Sequence, residues 1–190
     1  MATALSMGIT MCCIFSAAIV VVLTLCTPAA ADYKYERSIA FSTERTSSMG
    51  TSTETREIGG FKKNSQTIYL NIGEALDPST GHFTAPMHGV YAFYYSFSST
   101  TTEATTQVEL LKLKSGKSLD FATSLVNQTL VPSIANPLDF ASASVLVELE
   151  HDDVVIIRLG PGLLDASRER PLLYTGYMVY RLGEPVYYVV

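Results

Sequence analysis

The 190-residue sequence points to an all-β sandwich or barrel, and three observations carry that expectation. Residues 90–99 alternate with a period of two: Tyr91, Phe93, Tyr95 and Phe97 share one side, Ala92, Tyr94, Ser96 and Ser98 the other. The same alternation returns at Val145, Val147 and Leu149, and again at Val155, Ile157 and Leu159. Turn-forming clusters separate the runs, and no stretch holds a helical period of useful length, which is the pattern of a sandwich or barrel.

Taken in chain order, residues 1–31 carry no Asp, Glu, Lys, Arg or His. An apolar run from Ile9 to Leu25 is broken only by Thr10, Ser16 and Thr24, and Pro28 ends it before Ala29-Ala30-Ala31. That is a secretory signal peptide with an A-x-A cleavage site after Ala31. The other reading is an uncleaved signal anchor, because the run approaches the length that spans a bilayer. The cleavage motif and the lack of a basic residue before the run favour removal. Cys12, Cys13 and Cys26 all lie in this segment, so residues 32–190 hold no cysteine. A secreted chain without disulfides must be held by its core, by subunit contacts, or by both.

Residues 32–37 read as a short polar lead, and residues 38–181 as one domain. The Ser- and Thr-rich stretch 46–57 is expected to be a long surface loop. Asp77-Pro78-Ser79-Thr80-Gly81 is a turn by composition, with proline presetting φ and glycine free to make it positive. Lys114-Ser115-Gly116-Lys117 reads as a hairpin tip. His151-Asp152-Asp153 is a tight polar link, so the strands on either side are expected to pair antiparallel. Gly160-Pro161-Gly162 opens a loop reaching Pro171. The last strand, 172–180, contains Gly176, a mark of a bulge or a close backbone approach. Leu172, Leu173, Tyr174, Tyr177, Met178, Val179 and Tyr180 cannot all face one core, and the surplus apolar face predicts a symmetric oligomer. Residues 182–190 form a C-terminal tail whose apolar part, Val186–Val190, either packs on the domain, as its two tyrosines and three valines favour, or stays mobile as untied termini do.

The formal net charge of −5 argues against a nucleic-acid partner, which demands basic surface. There is no G-x-S-x-G, H-E-x-x-H, P-loop or G-x-G-x-x-G motif, so no enzyme class is indicated. His82 and His88 flank Phe83 without a third metal ligand at suitable spacing, and His151 reads as part of a polar turn.

The segment 71–95 resembles the signature of the globular C1q domain. Asn71, Leu76, Phe83, Gly89, Tyr91, Phe93 and Tyr95 stand at its spacing, and Ser65 stands where the signature has Phe. Residues 38–42, 141–153 and 174–180 resemble the family's first strand, late strand pair and closing strand. The resemblance implies a ten-stranded jelly roll, shared with tumour-necrosis-factor-like ligands, assembled as a homotrimer. It implies innate recognition of microbial or altered-self ligands, such as surface glycans or lipopolysaccharide, through avidity. The alternative is a cerebellin-like or adipokine-like signal for a cell-surface receptor. Residues 32–37 have no Gly-X-Y repeat for a collagen stalk and no linking cysteine, so the expectation is a stalkless secreted head with no membrane span once the leader is removed.

Some relatives bind calcium near the trimer axis through carboxylates, and Asp139 matches one such position. The companion acids would fall at Val131 and Pro132, which cannot ligate that way, while calcium takes six to eight oxygens. Asn127-Gln128-Thr129 is an N-glycosylation sequon. Lys112, Lys114 and Lys117 could meet anionic ligands, although a solvated hairpin is the commoner meaning of such a cluster, and Lys112 and Lys114, on one face, also suit a charged edge strand. Arg168 and Arg170, with Asp165 and Glu169, lie in the loop before the last strand, the first choice for a ligand contact because loops on rigid sandwiches do the binding.

Overall fold

The computed structural model describes residues 38–61, 68–99, 104–131 and 138–183. The expected leader, the polar lead, Ser65, Pro132 and the tail beyond 183 lie outside them. Among the described residues twelve strands run in order: β1 (Ala40–Arg45), β2 (Met49–Ser52), β3 (Arg56–Glu57), β4 (Ile68–Ile72), β5 (Phe83–Thr84), β6 (Gly89–Ser99), β7 (Thr106–Leu113), β8 (Thr123–Leu130), β9 (Asp139–Leu149), β10 (Val154–Leu159), β11 (Gly162–Leu164) and β12 (Leu172–Arg181). One five-stranded antiparallel sheet has the order β4-β1-β12-β6-β9. The second has the order β3-β10-β7-β8, with β5 also pairing β10. A separate pair, β11-β2, completes the set. The expected ten-stranded all-β sandwich is thus present as two five-stranded sheets.

The alternation along β6 sets the core. Tyr91, Phe93, Tyr95 and Phe97 are all buried between the sheets, joined by Phe41, Phe83 and Tyr174. Their rings meet edge-on and stacked: Phe41–Tyr174 centroids lie 4.7 Å apart and Phe83–Phe93 5.1 Å. Such geometries add to the area buried, because ring edges are positive and faces negative. Tyr95 donates its hydroxyl to the Val108 carbonyl at 2.8 Å, which pins one sheet to the other. Burial raises the pKa of the Tyr91, Tyr95 and Tyr174 hydroxyls, so all three stay neutral.

Gly176 resolves as a close approach. A Cβ there would lie 2.5 Å from Phe41 and 2.7 Å from Phe93, whereas the β12 register shift falls later, between Met178 and Tyr180. The 77–81 turn forms as expected: Gly81 has φ 77° and the Asp77 carboxylate accepts from Ser79 and Thr80, which holds its pKa below the usual range.

Four expectations need correction. β9 and β10 do not pair; β9 lies beside β6 in one sheet and β10 beside β7 in the other. The 151–153 link crosses between sheets, because Ala85 brackets it, donating to the Asp153 carbonyl and accepting from Asp152 N–H. The 46–57 stretch is not an unpaired loop: β2 and β3 form there, since edge strands need main-chain partners rather than an apolar period. The 160–171 connection likewise contains β11. The 114–117 turn does cap an antiparallel pair, β7 and β8, but a 3-10 turn at Leu119–Phe121 lengthens the connection. β7 is an inner strand, so an edge-strand role for Lys112 and Lys114 does not hold.

Candidate functional site

The signature residues serve the fold. Asn71 donates its amide to the Leu76 carbonyl at 3.0 Å and accepts from Leu76 N–H at 3.3 Å, which closes the loop after β4 and sinks Leu76 into the core. Leu76 then bridges to Phe83. Gly89 sits where a Cβ would lie 2.8 Å from the Tyr180 carbonyl oxygen. Tyr91 anchors the start of β6 through its hydroxyl to the Met87 carbonyl at 2.7 Å.

The β4-β1-β12-β6-β9 sheet has an unusual outer face. Register places Ile72, Ala40, Tyr177, Ala92 and Leu146 in one row across all five strands. The next row runs Leu70, Ser42, Thr175, Tyr94 and Ser144. Tyr177, Leu146, Ile72 and Tyr94 are 51%, 67%, 45% and 42% exposed. A hollow of about 510 Å³ lies among Ala92, Tyr94, Leu146 and Tyr177. The structure therefore carries the surplus apolar face read from residues 172–180 and extends it across the sheet.

The candidate residues divide by location. Lys112 is committed: its ammonium lies 3.0 Å from Asp153 and donates to the Glu148 carbonyl at 2.7 Å. The Asp153 side chain is only 2% exposed and also accepts from Glu150 N–H and Ser115 N–H. Burial pushes its pKa up, but the Lys112 bond and the two backbone bonds outweigh this and leave it lowered. This pair ties the sheet-crossing link to the end of β7 and the turn that follows. Lys114 and Lys117 are exposed, with Lys114 3.8 Å from Glu150. His82, His88 and His151 each face one carboxylate, Glu57, Glu148 and Asp152 respectively. Asn127 is exposed on edge strand β8, and Thr129 is exposed beside it.

Asp139 begins β9 and accepts from Phe140 N–H at 2.9 Å. Among the described residues no group of three or more His, Cys, Asp or Glu side chains gathers. Exposed Val131, Leu138 and Phe140 lie around it in sequence, so the donor set of one protomer does not fit calcium.

Arg168 and Arg170 occupy a tight turn in which Ser167 and Arg170 exchange backbone hydrogen bonds. Ser48 clamps the turn's base by donating to the Ala166 carbonyl at 3.1 Å. Arg168 is exposed, while half-buried Arg170 lies 3.8 Å from Asp165 and leans over the end of β6 and β9. Sequence reasoning overlooked Tyr94 and Phe140, which join Arg170 there. Their signal was phase: both are aromatic on the side of the strand that faces away from the core.

Comparisons with known proteins agree with this geometry. The chain is 25% identical over 114 residues to complement C1q tumor necrosis factor-related protein 3 of Homo sapiens, covering 60% of this chain and 43% of the relative. It thus spans less than half the length of the curated relatives it matches. Among solved structures, the globular domain of zebrafish complement 1qA protein superposes with a TM-score of 0.56 at 19% identity, covering 76% of this chain and 99% of that one. Murine APRIL gives a TM-score of 0.54 at 10% identity, covering 74% and 99%. Both are likenesses of fold. Residues 40–179 match the C1q domain, and the chain belongs to the C1q domain family.

Proposed function

We propose that this protein is a secreted C1q-domain binding protein that assembles as a homotrimer and recognises repetitive microbial or altered-self surfaces. The observation that carries the reading is the continuous apolar row on the outer face of the β4-β1-β12-β6-β9 sheet, Ile72 to Leu146, in a chain with no cysteine after residue 31. Exposed patches of this kind mark interaction surfaces, and a second copy of the same chain covers them at no cost in solubility. Three copies then display the 165–171 loops together. Weak contacts at Arg168 and Arg170 are multiplied by simultaneous engagement wherever ligand spacing permits. Exposed Lys114 and Lys117 are a second, smaller contact for anionic groups, and a glycan at Asn127 suits the exposed edge of β8.

The test is binding of the purified protein to whole bacteria, lipopolysaccharide and a glycan array. Saturable binding that an Arg168→Ala/Arg170→Ala double variant loses supports the reading. Absence of microbial and glycan binding, with tight attachment to animal cells that survives glycan removal, would instead favour a receptor-directed signal.

A further inference from the structure

β8 forms one margin of the β3-β10-β7-β8 sheet, the sheet that does not carry the apolar outer row. Among the described residues no strand pairs with β8 on the side away from β7. Alternate N–H and C=O groups of such a strand are open to a further chain. The register shift between Leu110 and Leu111 disturbs only its first part, and Val126 to Leu130 pair with Leu110 to Thr106 without a break.

Edge strands are ordinarily blunted by charge, proline or shortness. β3 is two residues, both charged, and β9 carries Asp139 and Glu148. β4 borders the apolar row that the proposed subunit contact covers. β8 has eight residues, and none is charged or proline. The uncharged run is longer still, since no Asp, Glu, Lys or Arg lies between Asp120 and Asp139. Uncharged, β-prone segments of about six or seven residues are the ones that pair with copies of themselves.

The outward row across this sheet shows what stands in place of charge. Glu57, Arg158, Glu109 and Asn127 lie side by side on β3, β10, β7 and β8. Arg158 donates to the Glu109 carboxylate at 3.1 Å. The row is charged on every strand except the margin. There it ends in the exposed sequon asparagine, with exposed Thr129 on the same side of β8.

We propose that an N-linked glycan on Asn127 guards the β8 edge and keeps it from pairing with β8 of a second molecule. Antiparallel pairing centred on Gln128 sets Asn127 of each copy opposite Thr129 of the other. Cross-strand neighbours in such a pair stand about 4.5–5.5 Å apart. A sugar on the Asn127 amide fills that space in both copies, so the glycosylated edge admits no partner. The glycan is bulky and hydrated, and it takes the part that gatekeeper charges play on other edge strands. The inference rests on the reading that the chain is secreted, because only a secreted chain meets the enzymes that glycosylate a sequon.

The experiment expresses the full chain in animal cells, beside Asn127→Gln, Thr129→Ala and Asn127→Lys, and reads mass spectrometry, light scattering and thermal melting. The wild type is expected in the medium with a glycan on Asn127. Asn127→Gln and Thr129→Ala lose the glycan by different routes. Each should melt as wild type does and raise the solution mass about twofold or more, as molecules join edge to edge. Asn127→Lys also lacks the glycan but places a charge on the edge, and it should keep the protein mass of the wild type. A secreted wild type with no glycan on Asn127 overturns the inference and leaves the proposed function standing. Glycan-free Asn127→Gln and Thr129→Ala that do not associate overturn it too, because the edge then needs no guard. Association of Asn127→Lys to the same extent as Asn127→Gln would place the contact elsewhere and overturn it as well. A wild-type chain held inside the cell overturns the secreted reading and the inference together.

Discussion

Lys112→Met removes one member of the most enclosed ion pair among the described residues and leaves the other in place. Asp153 keeps its bonds from Glu150 N–H at 3.0 Å and Ser115 N–H at 3.3 Å, but loses the ammonium at 3.0 Å. The Glu148 carbonyl loses its donor as well. Stranding a fully buried charge costs about 3–5 kcal/mol. The Lys112 side chain is 18% exposed, so water recovers part of this and about 2–4 kcal/mol is expected. For a domain of this size each kcal/mol moves the melting point about 2–4 °C, giving a drop of about 4–16 °C. Adding Asp153→Asn should recover part of the loss, a coupling that a double-mutant cycle measures by thermal or urea unfolding. The pair also sets an acid limit. The folded pKa of Asp153 lies below its unfolded value, so its stabilisation is complete above the ordinary carboxylate range and is lost as pH falls through the lowered value. The variant's melting curve should therefore flatten against pH in that acid window. A variant that melts within 1 °C of wild type by the same assay, about the resolution of such a scan, would refute the reasoning.

Three further outcomes follow from the geometry. Gly176→Ala drives a methyl into the Phe41 and Phe93 rings and should destabilise by about 1–3 kcal/mol, read by urea midpoint at unchanged slope. Asn127→Gln should remove one glycan's mass from protein secreted by animal cells, with the melting point little changed because the side chain is exposed. Millimolar calcium should leave the melting point of the protein unchanged with or without chelator, since Asp139 is a lone carboxylate bonded to Phe140 N–H; a rise would show that three subunits pool their Asp139 side chains.

What the sequence disclosed, it disclosed through periodicity. The four aromatics of β6 sit on one face because a strand has a period of two, and burial of that face was legible without coordinates. The surplus apolar side chains of β12 were legible for the same reason. Pairing was not. A short polar link such as 151–153 suits a hairpin and a sheet crossing equally well, and only the bonds to Ala85 decide between them. β2 and β3 escaped notice because four residues, Met49–Ser52, and two, Arg56–Glu57, are too short and too polar to carry an apolar rhythm. Lys112 looked like a solvated hairpin lysine because its partner, Asp153, meets it only across the fold.

The most direct measurement is the solution mass of the purified protein by multi-angle light scattering, beside a Tyr177→Asp variant. Tyr177 is 51% exposed and sits mid-row on the outer face, so the substitution should leave the protomer folded while placing a charge in the proposed interface. The wild type is expected to be a trimer at micromolar concentration and the variant a folded monomer. A wild-type protein that runs as a stable monomer, or a variant that stays trimeric, would contradict it.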